Sequence, residues 1–189
     1  RVLTKEEFDI EIDNHIDSIM KGAVFIHPTD TIYGLGCNAL DSRAVKKIRD
    51  IKKRPDAPFS VIAPSKPWIK DNCVIDEKSQ EWFDELPGPY TLVLKLKNKD
   101  CIAEEVNGGG ESIGVRLPQH WFNRVVRRLG VPIVTTSVNE AGKKFVASVD
   151  DVEPEMGPKI DFMIDEGEKK GRPSKIVNLT AEDVLVRER

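Results

Sequence analysis

Apolar positions recur at helical spacing near the start of the chain. Phe8, Ile12, Ile16 and Ile19 follow Thr4-Lys5-Glu6-Glu7, a capping-box signature, and Gly22 ends the run. Residues 23–27 form a short apolar run that reads as a strand, and Pro28-Thr29-Asp30-Thr31 breaks it with a polar turn. Residues 32–40 are rich in small side chains, with Gly34 and Gly36 among them. Asp41 or Ser42 then caps a helix whose Val45, Ile48 and Ile51 share one face, and Pro55 stops it.

The pattern continues in short pieces. Residues 59–63 read as a buried strand, Ser65 caps a short helix through Trp68, and 79–86 form another helix. After the Gly88-Pro89 turn, residues 90–96 alternate like a strand, and 97–110 read as a loop ending in three glycines. A strand at 112–117 and a helix at 119–129, closed by Gly130, lead to a strand at 131–135 and the polar turn Thr136-Ser137-Val138-Asn139. Residues 160–164, 175–179 and 184–186 complete the strands. This interleaving predicts an α/β (α+β) architecture, with one mixed sheet and flanking helices. No repeat or linker divides the chain, so a single domain over 1–189 is expected.

Composition narrows the function classes. Hydrophobic residues make up 39% and charged residues 32%, with a formal net charge of -3. That balance points away from a dedicated nucleic-acid binder, which is usually basic, but leaves room for a local basic pocket. No apolar run approaches the roughly 20 residues of a membrane span. Cys37, Cys73 and Cys101 form no CxxC pair and read as reduced thiols, so a cytoplasmic location is expected.

Familiar catalytic motifs are absent from the sequence. It contains no GxxxxGK[ST] and no GxSxG, and His15, His27 and His120 lack neighbours at metal-ligand spacing. Gly34-Leu35-Gly36-Cys37-Asn38-Ala39 imitates a dinucleotide fingerprint, but a polar turn precedes it and no helix begins there. Its glycines read as close backbone packing or as room for a ligand. Three polar clusters remain: Thr29-Asp30-Thr31, Lys52-Lys53-Arg54 and Ser137-Val138-Asn139. Taken singly, the first reads as a turn, the second as cations at a helix C-terminus and the third as a loop satisfying backbone groups. Converging at strand ends, they would make an anion pocket.

Read together, they resemble a known family. Pro28-Thr29-Asp30-Thr31-Ile32-Tyr33-Gly34-Leu35-Gly36 is similar to the opening motif of the YrdC family. Lys52-Lys53-Arg54-Pro55 resembles its Lys-x-Arg motif, and Pro87-Gly88-Pro89-Tyr90-Thr91 its Pro-Gly-Pro-x-Thr turn. Gly114-Val115-Arg116-Leu117-Pro118, Thr136-Ser137-Val138-Asn139 and the segment from Pro173 and Ser174 to Leu179 follow in family order. The resemblance implies a twisted, mainly β sheet around a large, open, positively charged cavity. It implies synthesis of threonylcarbamoyl-AMP and pyrophosphate from L-threonine, bicarbonate or CO2, and ATP. Mg2+ would be carried with ATP, and a downstream transferase complex would modify position 37 of tRNA. Lys52 and Arg54 would be catalytic and would bind ATP together with Ser137, Asn139, Arg116 and Arg187. Thr29, Thr31, Tyr33 and Ser174 would bind threonine.

The chain also departs from the family. Relatives carry a His near Ile62 or Ala63 that is missing here, Lys175 replaces a Thr, and Asn178 replaces an Asp. Two other classes stay open. One is carbamoyl transfer of the hydrogenase-maturation type, whose cysteine motifs are absent. The other is an RNA-binding module using the basic residues 46–54 and 124–128, with weak binding of tRNA itself.

Overall fold

The computed structural model describes residues 1–140 and 142–188. Seven α-helices and ten strands are seen among them, with a few 3-10 turns. The strands are β1 (Val2–Thr4), β2 (Phe25–His27), β3 (Gly34–Gly36), β4 (Ser60–Ile62) and β5 (Tyr90–Lys95). They continue with β6 (Ser112–Arg116), β7 (Ile133–Ser137), β8 (Phe162–Asp165), β9 (Lys175–Asn178) and β10 (Leu185–Arg187). The helices are α1 (Lys5–Ile10), α2 (Ile12–Met20), α3 (Ser42–Lys52), α4 (Lys66–Asn72), α5 (Glu77–Asp84), α6 (Glu104–Asn107) and α7 (Asn123–Leu129). The strands join in the order β1-β8-β2-β3-β7-β4-β6-β5-β9-β10, mixing parallel and antiparallel pairs. The expected mixed α/β sheet is therefore present.

Side-chain alternation assigns the two faces of this sheet. Val24 and Ile26 flank Phe25 and enter a core with α3, α4 and α5, through residues such as Val45, Ile48, Ile69 and Phe83. Phe25 points the other way, into a second core with Phe8 of α1, Ile19 of α2 and Val125 and Val126 of α7. Val61 and Val134 belong to the first core, and Ile62 and Ile133 to the second. The second core is aromatic: Phe25 stacks on Phe162 at 5.1 Å and His27 on Phe122 at 4.8 Å.

The Thr4 capping box, the Asp41 cap and the Ser65 cap all form as expected. Other boundaries differ. The first helix is interrupted at Glu11, where the bond from Glu11 N to Glu7 O stretches to 3.4 Å. Strand β1 carries only one inward residue, Leu3, and owes its form to parallel pairing with β8, so it has no local signature. The segment 97–110 is not plain loop. It holds α6, gripped by the Arg49 guanidinium through Glu105 O and Val106 O. Helix α7 begins at Asn123 rather than 119, after a turn in which Phe122 N donates to His120 Nδ1.

Candidate active site

Beyond the aromatic core, the same sheet face turns polar. Along β7, Ile133 lies in the core while Thr135 and Ser137, two and four residues on, point to the same side. On β4, Ser60 lies on the side of Ile62; it pairs with Thr135 on one flank and Gly114 of β6 on the other. A Cβ on Gly114 would stand 2.5 Å from Ser60 Oγ and 3.1 Å from Thr91 Cγ2, so glycine is what lets these side chains share the floor. Thr91 Oγ1 meets Ser174 Oγ at 2.6 Å in a buried pair. Ser60, Thr91, Thr135, Ser137 and Ser174, with Thr29, Thr31, Gly34 and Arg116, border a shallow cleft open to solvent.

The turn between β2 and β3 forms one wall. Thr29 Oγ1 donates to Ile32 O at 2.7 Å and accepts from Thr31 N at 3.1 Å. With the Thr29 proton so used, the Thr31 hydroxyl is the donor in their 3.0 Å contact. The turn reading of this cluster thus holds alongside its place at the cleft. Arg116 Nη2 donates to Asp30 Oδ1 at 2.7 Å in a largely buried ion pair, and Asp30 also accepts from Gln119 N. Tyr33 also borders the cleft. Its ring packs in the first core and its hydroxyl donates to Gly167 O at 2.7 Å while accepting from Glu166 N at 2.8 Å. Burial pushes the phenol up to about 12.

The Lys-x-Arg residues separate. Lys52 is only 1% exposed, and its ammonium donates to Ser137 O at 2.5 Å, Asn139 O at 2.9 Å and Asn139 Oδ1 at 3.2 Å. Ser137 Oγ donates to the same Asn139 Oδ1 at 2.5 Å. One buried cation therefore ties the Ser-x-Asn turn to the end of α3, whose next residue, Lys53, takes a left-handed φ of 50°. Arg54 is half-buried outside the cleft border, where its carbonyl accepts from Arg49 Nη1. Arg187 sits on the exposed edge strand β10, opposite Ile176 and also outside the border.

A clasp joins the segment after β8, which holds the Tyr33 hydroxyl, to the aromatic half. Glu166 accepts from His120 Nε2 at 2.9 Å, from Trp121 Nε1 at 2.6 Å and from Lys169 Nζ. Burial would raise this carboxyl, but the three donors outweigh it and draw it down to about 2. His120 is lowered by burial, with Glu166 opposing. The residues that motif reasoning overlooked are Ser60, Thr135 and Glu166. The first two were legible as polar positions on the inward face of an otherwise apolar strand.

A model of the Sua5/YciO/YrdC family, described as telomere recombination, matches residues 17–188. The chain belongs to this family. A Methanocaldococcus jannaschii protein is 34% identical over 173 residues, 88% of this chain and 79% of that protein. A Photobacterium profundum protein named threonylcarbamoyl-AMP synthase is 31% identical over 178 residues, 90% of this chain and 95% of that one. Among solved structures, P. abyssi Sua5 in complex with L-threonine superposes with a TM-score of 0.85 at 29% identity, covering 98% of this chain. The chain spans only 55% of that Sua5. As a Sua5/YciO/YrdC domain, it uses much of its basic surface internally: Arg124 pairs with Asp9, Arg128 with Asp13, Lys46 with Glu105 and Lys53 with Glu140.

Proposed function

We propose that the chain makes threonylcarbamoyl-AMP from L-threonine, bicarbonate or CO2, and ATP, in the cytoplasm, for a downstream complex that modifies position 37 of tRNA. The observation that carries this reading is the hydroxyl-lined cleft beside the Lys52–Ser137–Asn139 knot, in a chain of this family. The threonine amine attacks the carbon of CO2, or of bicarbonate with loss of water, to form an N–C bond and a carbamate. A carbamate oxygen then attacks the α-phosphorus, and the bond to the departing pyrophosphate breaks.

Thr29, Thr31, Tyr33 and Ser174 shape the amino-acid end. Ser137 and Asn139 hold the nucleotide, and Lys52 fixes their geometry from behind. Arg54, Arg116 and Arg187 supply cationic charge to the phosphates. Positioning and charge stabilisation carry most of such a reaction. Among the described residues no group of three or more His, Cys, Asp or Glu could hold a metal ion. Mg2+ bound to the ATP phosphates would neutralise part of their charge. No helix among the described residues is long and apolar enough to cross a membrane.

ATP labelled at the α- or γ-phosphate, incubated with bicarbonate and threonine, tests the reaction. Threonine-dependent release of γ-label in pyrophosphate, with α-label in an adenylate of threonylcarbamoyl mass, is the expected outcome. Release of ADP and phosphate would overturn it. Arg54→Ala should raise the KM for ATP by about tenfold, the size of one charge-assisted contact, while its unfolding midpoint stays near wild type.

A further inference from the structure

On the sheet face that carries the cleft, two hydroxyls keep their hydrogen-bonding capacity unspent. Ser137 gives its proton to Asn139 Oδ1, and Thr91 and Ser174 close on each other. In the wall beside them, Thr29 donates to Ile32 O, and the Tyr33 hydroxyl is held by Gly167 O and Glu166 N. Ser60 Oγ and Thr135 Oγ1 border the same cleft and make no hydrogen bond among the described residues. Ser60 is half-buried and Thr135 is 7% exposed. Polar groups so far removed from water are seldom left unpaired, and at a cleft the partner comes with a ligand. Each hydroxyl offers that ligand both a donor and an acceptor.

Their place in the sheet separates them. Ser60 and Thr135 are direct partners across β4 and β7, but their hydroxyls lean apart. A Cβ on Gly34 of β3 would stand 2.8 Å from Thr135 Oγ1, and a Cβ on Gly114 of β6 would stand 2.5 Å from Ser60 Oγ. Strands β3 and β6 flank the β7–β4 pair on opposite sides. The two oxygens are therefore set to meet different atoms of one ligand. Thr135 leans toward the flank where Gly34 pairs with Ser137, at the start of the Ser-x-Asn turn. Ser60 leans toward the flank where the Gly114 point is also 3.1 Å from Thr91 Cγ2, and Thr91 meets Ser174.

A substrate lying across these strands has a direction, given the synthase reading above, on which this inference rests. The amine that becomes the carbamate has to face the nucleotide, and the nucleotide belongs to Ser137 and Asn139. The other end of the amino acid, its side chain, then falls over Ser60. We propose that Ser60 reads the side-chain hydroxyl of the amino-acid substrate while Thr135 accepts from its amine. Ser60 is thereby a specificity-determining residue. An amino acid without the hydroxyl covers Ser60 Oγ and leaves it unpaired, which makes the contact selective.

The test measures pyrophosphate release by the whole chain with L-threonine and with 2-aminobutyrate, which lacks the hydroxyl. Wild type should prefer threonine by about tenfold or more in kcat/KM, the size of one hydrogen bond. Ser60→Ala removes a single oxygen, and in it the two substrates should come within about twofold of each other. Thr135→Val should slow both substrates alike, by about tenfold, and keep the preference. Calorimetry of each amino acid binding to wild type and to Ser60→Ala gives the same comparison without turnover.

A preference that survives Ser60→Ala overturns the assignment. So does one that is lost in Thr135→Val instead, since the substrate would then lie the other way. If wild type makes adenylate from both amino acids equally well, the Ser60 assignment fails and the synthase reading stands. If no adenylate forms but threonine binds more tightly than 2-aminobutyrate in wild type and not in Ser60→Ala, the synthase reading fails and the assignment of Ser60 stands. If no adenylate forms and neither amino acid binds, both fail.

Discussion

Along β7, Ile133 and Ser137 point to the same side of the sheet, yet one sits among phenylalanine rings and the other borders a hydroxyl-lined cleft. The same change occurs on β4, from Ile62 to Ser60. On β2 and the turn after it, it runs from Phe25 through His27 to Thr29. The aromatic half closes with rings in contact, as the stacking of Phe25 on Phe162 shows. The polar half cannot close in that way, because hydroxyls removed from water need partners. Some find them within the protein, as Thr91 and Ser174 do. The comparison teaches that a site can be built without new elements, by changing side-chain polarity partway along strands whose other end is locked. The locked end supplies the rigidity that positions the open one.

The largest way to disturb this arrangement is Lys52→Met. It leaves Ser137 O, Asn139 O and Asn139 Oδ1 without their buried cation. Breaking such a buried, charge-assisted cluster should cost about 3 kcal/mol in urea unfolding. Pyrophosphate release should fall by about 100-fold. If Lys52 were instead a direct phosphate clamp, the variant would keep wild-type stability and lose only its affinity for ATP.

A smaller effect is expected at the border between the halves. Gly34→Ala would push a methyl group against His27 Nε2 and Thr135 Oγ1, both nearer than any ordinary Cβ contact. Overpacking of this kind should cost about 1–3 kcal/mol and should lower activity as well. Gly157→Ala is the matched control, since a Cβ there meets nothing within 4 Å. Denaturation midpoints of the two variants should therefore differ, and equal midpoints would show that the ring of His27 yields freely.

Much of this was legible in the sequence, and what was not has particular causes. The caps at Thr4, Asp41 and Ser65 are local and were readable. Strand β1 and helix α6 owe their form to partners far along the chain, β8 and Arg49, and leave no periodic trace. Lys52 reads as an exposed helix-end cation because its sequence neighbours are charged. Its burial follows from how α3 meets the turn after β7, a contact 85 residues away in sequence. Ser60 and Thr135 were visible as polar residues in apolar strands, but only the pairing of β4 with β7 places them side by side. Glu166 stands in a charged stretch, Glu166-Gly167-Glu168-Lys169-Lys170, with no pattern that singles it out, and its partners at 120 and 121 come from far along the chain.

That clasp gives the smallest and most specific expectation, because it links the two halves through a titratable group. Glu166 receives His120 and Trp121 from the aromatic side, and its backbone N–H donates to the hydroxyl of Tyr33, a residue that borders the cleft. Its folded-state pKa, about 2, lies below the ordinary 4.5. The stability it contributes is therefore fully present above about pH 4.5 and is lost as pH falls toward 2. His120 adds in the same direction from a higher pH, since burial lowers its pKa and the unfolded chain takes up its proton first. Glu166→Gln keeps the shape, removes the charge and still offers His120 an acceptor. In urea unfolding at pH 7 it should cost about 1 kcal/mol, the lower end for hydrogen bonds to a charged group because the clasp is partly exposed. At acid pH, where the wild-type carboxylate is itself being protonated, the two proteins should converge. A difference that stays constant from pH 7 to pH 3 would mean that the clasp acts through shape alone, and the link between aromatic core and cleft would then be one of packing rather than charge.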